Sequence, residues 1–381
     1  MPPARSPAEG PDVAPDVVVV ALSARALAAA ARRAGRRPAA IDLFADHDTR
    51  QLAEPCIRLP SDALRLDITA LLDALARPEL RGLPLVYGAG FEEAPALLAR
   101  IAEDRPLFGN RADVVARVKD PFRFAETLDR LGIPHPPVAR SLGGPPSNHL
   151  LKRIGGSGGG HIAPASAATA QPGWYFQRRV SGHAVSVLFL ADGRRAVIVG
   201  LSRQWSSPTA ESPYRYGGAA GPWRCPKRIA QALADMMNRL TTAFGLVGLN
   251  SADFLLNGQG FHLLEINPRP GATMDVFDRD PMPPLFTLHL EACAGRLPDR
   301  LPALPDCRAA EVVYADAPTS IGADLRWPDW TADRPVTPAA LAAGQPVCTV
   351  LGDGDGVRAA RRHVERRRRQ LAASAMMELQ A

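Results

Sequence analysis

The run from Gly245 to Asp275, GLVGLNSADFLLNGQGFHLLEINPRPGATMD, constrains the fold most, because its polar groups fall inside strand-like sequence. Ser251 to Leu256 and Phe261 to Ile266 are apolar-rich segments separated by Asn257, Gly258, Gln259 and Gly260, which is a hairpin signal. A three-residue loop of Gly258, Gln259 and left-handed Gly260 sets Asn257 against Phe261 and Asp253 against Glu265. Opposed residues share a face. Ala252, Phe254, Leu264 and Ile266 then point to a core, while Asp253, Glu265 and Asn267 point to the other side.

Two unpaired carboxylates roughly 4 Å apart repel by about 4 kcal/mol at an effective dielectric of about 20. A divalent cation relieves that repulsion. Hard oxygen donors joined by an amide carbonyl suit magnesium, which keeps some waters and shares its shell with phosphates. Arg269, just past the second strand, is then available to brace a phosphoryl group. The alternative is a surface hairpin with solvated acids.

The segment Leu263-Leu264-Glu265-Ile266-Asn267-Pro268-Arg269-Pro270-Gly271, preceded by Asp253, resembles the magnesium-binding signature of ATP-grasp enzymes. The resemblance implies activation of a carboxylate by ATP through an acyl phosphate, followed by attack of an amine or another nucleophile.

At 381 residues the chain has room for two or three domains, and 46% apolar against 22% charged residues describes a globular protein. The formal charge of +6 suits a phosphate-rich ligand, but the basic stretch Arg361 to Arg369 inflates it, so charge alone does not show nucleic-acid binding. The five cysteines, Cys56, Cys225, Cys293, Cys307 and Cys348, form no close-spaced zinc or redox pair. A reducing cytoplasm is the simplest compartment. Residues 1–15 lack a hydrophobic signal core and read as a disordered leader, and no window of ~20 apolar residues predicts a membrane span.

Asp16 to Leu22, an Ala-rich helix ending at Gly35, and Ala39 to Phe44 open as a βαβ unit. Ser61 is placed to cap a helix through about Ala76, Leu83 to Tyr87 gives a third strand, and Gly88 to Glu92 follows at its carboxyl end. Ligands sit at such ends, so Gly88 to Glu92 is either pocket lining or a plain turn. No GxGxxG follows the first strand. Two helices separated near Asp120-Pro121 end at Gly132. Leu150-Leu151-Lys152-Arg153 then leads into six residues, 155–160, of which five are glycine. Their free N–H groups suit phosphate oxygens and Lys152 adds charge, the rival reading being a flexible linker.

Trp174 to Val180, Ala184 to Ala191 and Val197 to Ser202 are strands, with Arg203 immediately after the last and able to stabilise an acyl phosphate, or to form a surface salt bridge. Ser206 to Pro222 reads as a long loop whose Tyr214, Arg215 and Tyr216 are candidates to select the acceptor. Helices Pro226 to Phe244 and Leu285 to Ala294 flank the hairpin. The final 80 or so residues begin with a strand at Ala310 to Ala315, add another at Val347 to Leu351, and close with a basic helix.

What the ATP-grasp resemblance implies is an α/β plus α+β protein with an N-terminal parallel-sheet domain over 16–110, a two-lobed ATP-grasp domain over 111–300, and a small C-terminal β subdomain over 301–381. Lys119 and Lys152, with Gly156, Ser157, Gly158 and Gly159, would hold the phosphates of ATP. Gln177 and Val180 would read the adenine. The acidic ribose ligand of many members falls near Ala184, so either His183 substitutes for it or the ribose contacts come from elsewhere. Asp253, Glu265 and Asn267 would hold two magnesium ions, with manganese the alternative, and Arg269 with Arg203 would stabilise the phosphoryl intermediate. Small carboxylate and amine substrates are implied, no membrane and no nucleic-acid partner, and a homodimer is left open. LNSADF and NPRPGATMDVFD look most like the ATP-grasp group associated with methanopterin- and methanofuran-type one-carbon cofactors. The rivals are a biotin-carboxylase-like enzyme that phosphorylates bicarbonate and a nucleotide-sensing or nucleic-acid-binding protein without turnover.

Overall fold

The structure, a computed structural model, describes residues 14–61, 64–258 and 260–378, so the expected leader lies outside it except at Ala14 and Pro15. The N-terminal part alternates β1 (Val17–Val20), α1 (Arg25–Arg33), β2 (Pro38–Asp42), α2 (His47–Leu52), β3 (Cys56–Arg58), α3 (Ile68–Leu75), β4 (Leu85–Tyr87), α4 (Ala96–Asp104) and β5 (Leu107–Phe108). Strands β1, β2 and β4 are buried throughout, which is why they read as continuous apolar runs, and the sheet is parallel in the order β3-β2-β1-β4-β5. Three residues of β3 and two of β5 are too few to show a period, so the sequence reading missed them. Ser61 does not cap α3: Asp67 does, accepting from the Ala70 N–H, while Ser61 Oγ accepts from the Arg65 N–H.

Helices α5 (Ala112–Lys119) and α6 (Pro121–Arg130) meet at Asp120, whose carboxylate accepts from the N–H groups of Phe122 and Arg123. A four-stranded sheet follows from β6 (Val138–Ala139), β7 (His149–Arg153), β8 (Ile162–Pro164) and β9 (Trp174–Arg178) in the order β6-β9-β7-β8. Next come β10 (His183–Asp192), β11 (Ala196–Ser206), β12 (Tyr216–Gly221), α7 (Lys227–Phe244), β13 (Val247–Asn257), β14 (Gly260–Asn267), α8 (Met274–Phe277) and α9 (Leu285–Cys293). The chain ends with β15 (Cys307–Tyr314), β16 (Thr319–Ile321), β17 (Thr331–Ala332), β18 (Ala339–Leu341), β19 (Pro346–Gly354) and α10 (Val357–Glu378).

The large sheet runs β14-β13-β10-β11-β12-β15-β19-β17, so C-terminal strands extend the platform that carries the hairpin. Much of the expected 206–222 loop is β12, whose run YGGAAG lacks the large apolar residues that signal a strand. One face of the sheet buries Val185, Val187, Leu201 and Phe254 against Leu233, Met237 and Leu240 of α7. The opposite face buries Leu188, Leu190 and Leu249 with Leu27 of α1, Phe277 of α8 and Phe286 of α9. Helix α10 packs Ala360 and Val364 on Ala309, Cys348 and Val350. Among the described residues no helix is long and apolar enough to cross a membrane.

A buried cation ties these parts together. Arg25 of α1 donates to both oxygens of Asp275 at 2.5 and 2.6 Å and to both oxygens of Asp333 at 3.0 Å, and the backbone N–H of Asp333 donates to Asp48 of α2. Asp46 is buried beside this cluster, and burial followed by the charges of Asp333, Asp42 and Asp48 pushes its carboxyl up to about 8, Arg25 opposing.

Candidate active site

The hairpin reaches the expected opposition by a different route. Asn257 pairs with Gly260, Leu256 with Phe261 and Phe254 with Leu263, and a bulge then sets Glu265 opposite Asp253. The shorter turn and the extra residue cancel. Between them, however, Leu263 rather than Leu264 enters the core with Ala252, Phe254 and Ile266. Gly260 has φ +124°, a conformation that L side chains rarely adopt.

Around the two carboxyls the contacts are short and mutual. Asn267 donates through Nδ2 to Asp253 Oδ2 at 3.0 Å, and Gln204 Nε2 lies 3.4 Å from Asp253 Oδ1. Lys119 donates to Asn267 Oδ1 at 3.0 Å and to Glu265 Oε2 at 3.3 Å, so it engages the carboxylate side of the site rather than standing free. Burial alone would raise Glu265, but Lys119, Lys152 and His161 outweigh it and hold the carboxyl down at about 2. Asp253 goes the other way, up to about 6, through burial and then the Glu265 charge. A carboxylate whose ionisation burial and a like-charged neighbour make costly is a seat for positive charge. The donor set fits a hard divalent cation: two carboxylates and an amide oxygen. Among the described residues no three His, Cys, Asp or Glu side chains form a closed cage, so an ion here would complete its shell with water and phosphate.

Facing Glu265 across a cleft is the small sheet. Lys152 pairs with Tyr175 and Leu150 with Gln177, so Lys152, Tyr175 and Gln177 share one face. Lys152 is buried with Nζ 3.4 Å from Gln177 Oε1. The cleft is lined by Lys119, Phe124, His161, Tyr175, Gln177 and Glu265, with further apolar residues of α6 and β6.

The glycine tract is docked, which excludes a free linker. Gly155 has φ +75°, and a Cβ there would stand 2.6 Å from the Glu92 carbonyl oxygen. Gly159 has φ +78°, and a Cβ there would stand 1.9 Å from the Tyr214 oxygen, so only glycine permits this approach. The Tyr216 N–H donates to the Gly158 oxygen at 2.9 Å, joining the tract to β12. His161 is buried at its end, with Nδ1 3.2 Å from the Ser157 oxygen, and burial drops its imidazole to about 4. It is neutral, so Nδ1–H donates and Nε2 keeps a lone pair. Sequence reasoning passed over His161, and its only signal was a polar ring closing a glycine run.

Arg269 lies against the turn after β4. Its Nε donates to Glu92 Oε1 at 2.7 Å, and the Gly90 N–H donates to Glu92 Oε2 at 2.7 Å. Burial would raise the Glu92 carboxyl, but Arg269 and then Lys119 hold it below the usual range.

Two expected residues are not brought to the site. Asp253 pairs with Ser186 and Ser186 with Ser202, so these three share a face. Arg203 pairs with Val185 and therefore points to the α7 side, with its guanidinium 5.0 Å from the Trp223 ring centre. Arg203 thus stands on the face opposite Asp253, away from the expected phosphoryl site. His183 has the same parity as Val185 and is exposed, while Ala184 stands on the Asp253 side, so the expected ribose substitute faces away. Val180 is half-buried just beyond the end of β9.

Comparison with known proteins agrees with this geometry. A family model described as ATP-grasp domain matches residues 118–273. The carbamoyl phosphate synthase large chain of Vibrio vulnificus (strain CMCP6) is 25% identical over 271 residues, 62% of this chain and 24% of the relative. The chain thus spans about a quarter of the length of the curated relatives it matches. Biotin carboxylase from Campylobacter jejuni superposes with a TM-score of 0.67 at 14% identity, covering 90% of this chain and 88% of that one. N5-carboxyaminoimidazole ribonucleotide synthetase from Thermus thermophilus superposes with a TM-score of 0.65 at 18% identity, covering 92% and 97%. The biotin carboxylase domain of the Hydrogenobacter thermophilus 2-oxoglutarate carboxylase, solved with MgADP, gives 0.68 at 13%, covering 90% and 87%. With the carboxylate hairpin, the strand lysine and the docked glycine tract on one fold, the chain carries an ATP-grasp domain.

Proposed function

We propose that this protein is an ATP-dependent ligase that joins a carboxylate to an amine through an acyl phosphate, releasing ADP and phosphate. The observation that carries the reading is the opposition of Asp253 and Glu265 on one face of the large sheet, with Glu265 lining the cleft that Gln177, on the Lys152 face of the small sheet, lines from the other side. Asp253, Glu265 and Asn267 would hold magnesium, two ions in the full reading. When bound, magnesium compensates phosphate charge and polarises the transferring phosphoryl group. Lys152 and the backbone N–H groups of 156–159 hold the triphosphate. Gln177 and the Val180 backbone read the base. The carboxylate substrate is its own nucleophile, since it is ionised at neutral pH and attacks the γ-phosphate directly. Arg269 stabilises the charge on the group in flight.

A narrower form of this reading, prompted by the LNSADF and NPRPGATMDVFD segments, gives the protein an amino acid as one substrate and an amine-bearing one-carbon cofactor precursor as the other. The biotin carboxylase neighbours favour a second reading, phosphorylation of bicarbonate. One screen separates them. ADP release is followed with amino acids and amine acceptors, and with bicarbonate in a separate arm. Substrate-dependent ADP supports the ligase, ADP with bicarbonate alone supports the second reading, and AMP formation overturns acyl phosphate chemistry.

A further inference from the structure

The turn that follows β4 reaches into the site from the N-terminal sheet, and no step above gives it a part. Glu92 is 4% exposed. Both of its oxygens are committed at 2.7 Å, one to Arg269 Nε and the other to the Gly90 N–H. The backbone donor is fixed by the turn, so the carboxylate is held in place and the guanidinium is held by the carboxylate. On Arg269, Nη1 donates to the Pro270 oxygen at 3.3 Å, and Nη2 makes no hydrogen bond among the described residues. The same turn touches the phosphate loop: the Glu92 oxygen abuts Gly155, and Glu93 pairs with Arg153 at 2.7 Å.

We propose that Glu92 is a positioning residue for phosphoryl transfer: it grips Arg269 through Nε so that the terminal nitrogens are aimed before the phosphoryl group arrives. The inference rests on the acyl phosphate reading of the site. Its physical basis is preorganisation, since a donor already aimed at developing charge spends nothing on reorientation during the reaction. The rival is that Glu92 merely compensates a buried guanidinium, which needs a counter-charge wherever it points.

The test reads binding rather than turnover. Mg-ADP affinity is measured by calorimetry with and without aluminium fluoride, a mimic of the phosphoryl group in flight. In the wild type, aluminium fluoride tightens Mg-ADP. Glu92→Gln binds Mg-ADP as before but loses on the order of tenfold of that gain. Arg269→Met loses about the same tenfold and keeps the rest of the gain, and adding Glu92→Gln to it costs nothing more, because Glu92 acts only through Arg269. Glu92→Asp keeps the counter-charge for folding but withdraws it from Nε, so it also loses that part of the gain. Full retention of the gain in Glu92→Asp, or an equal loss in the Arg269→Met background, overturns the inference in favour of charge compensation. A wild type that binds no Mg-ADP, or gains nothing from aluminium fluoride, overturns the ligase reading and this inference with it.

Discussion

Asp253 and Glu265 face each other across β13 and β14, yet they titrate in opposite directions, one raised to about 6 and the other lowered to about 2. The asymmetry comes from Lys119, which donates to Glu265 and to Asn267 but to neither oxygen of Asp253. Glu265 is the more readily ionised member, and Asp253 is the one whose charge a bound cation would stabilise most.

Glu265→Gln therefore removes the charge that anchors the pair while keeping the side-chain shape. Substrate-dependent ADP release should fall on the order of a hundredfold or more. The Glu265 side chain is 31% exposed, so the far-ultraviolet circular dichroism spectrum should be unchanged. A Gln variant with wild-type turnover would contradict the metal assignment.

Asp46 makes stability depend on pH. Its folded value of about 8 is above the unfolded one, so the protonated group favours the fold fully below about 4, and that contribution is lost as pH rises through 8. Between those limits the unfolded chain binds fewer protons, and stability declines by about 1.4 kcal/mol per pH unit from this group. Asp46→Asn removes the titration. Denaturant unfolding at pH 6 and pH 9 should show a smaller drop in the variant than in the wild type, and an equal drop would sink the assignment.

Gly159→Ala introduces a Cβ that the Tyr214 oxygen leaves no room for, at a φ of +78°. The tract must then leave β12, and Mg-ATP affinity measured by calorimetry should weaken by about tenfold, an expectation drawn from lost preorganisation. Gly143→Ala, where no neighbouring atom lies within 4 Å of the added carbon, is the control. Equal affinities in the two variants would show that the docked tract has no part in nucleotide binding.

Arg203→Ala discriminates between faces of the sheet. The structure directs this guanidinium onto Trp223, so removing it should cost about 1 kcal/mol of stability through the lost cation–π contact. Its kcat should match that of the wild type. A selective collapse of kcat with unchanged stability would return Arg203 to the chemistry.

Periodicity and turn chemistry made the hairpin, the α5 and α6 pair and the lysine strand β7 legible from the sequence. The residues that escaped did so because register is a property of two strands. Arg203 follows an apolar run, but it lies inside β11, and only its pairing with Val185 decides which way it points. Likewise the Asp253 and Glu265 opposition was read from a loop one residue too long, and the bulge before Glu265 restored it. Glu92 was legible as a turn residue near a pocket, but its grip on Arg269 spans 177 positions of chain and leaves no local trace.

Because β12 is hydrogen-bonded to β15, the segment matching the family model cannot be cut out cleanly. A fragment ending at residue 273 would expose the edge of the YGGAAG strand from Gly218 to Gly221, with open amide and carbonyl groups and no charged side chain to discourage a neighbouring copy. Such a fragment should self-associate, and expression of the isolated domain is better begun from chains that keep the last strands.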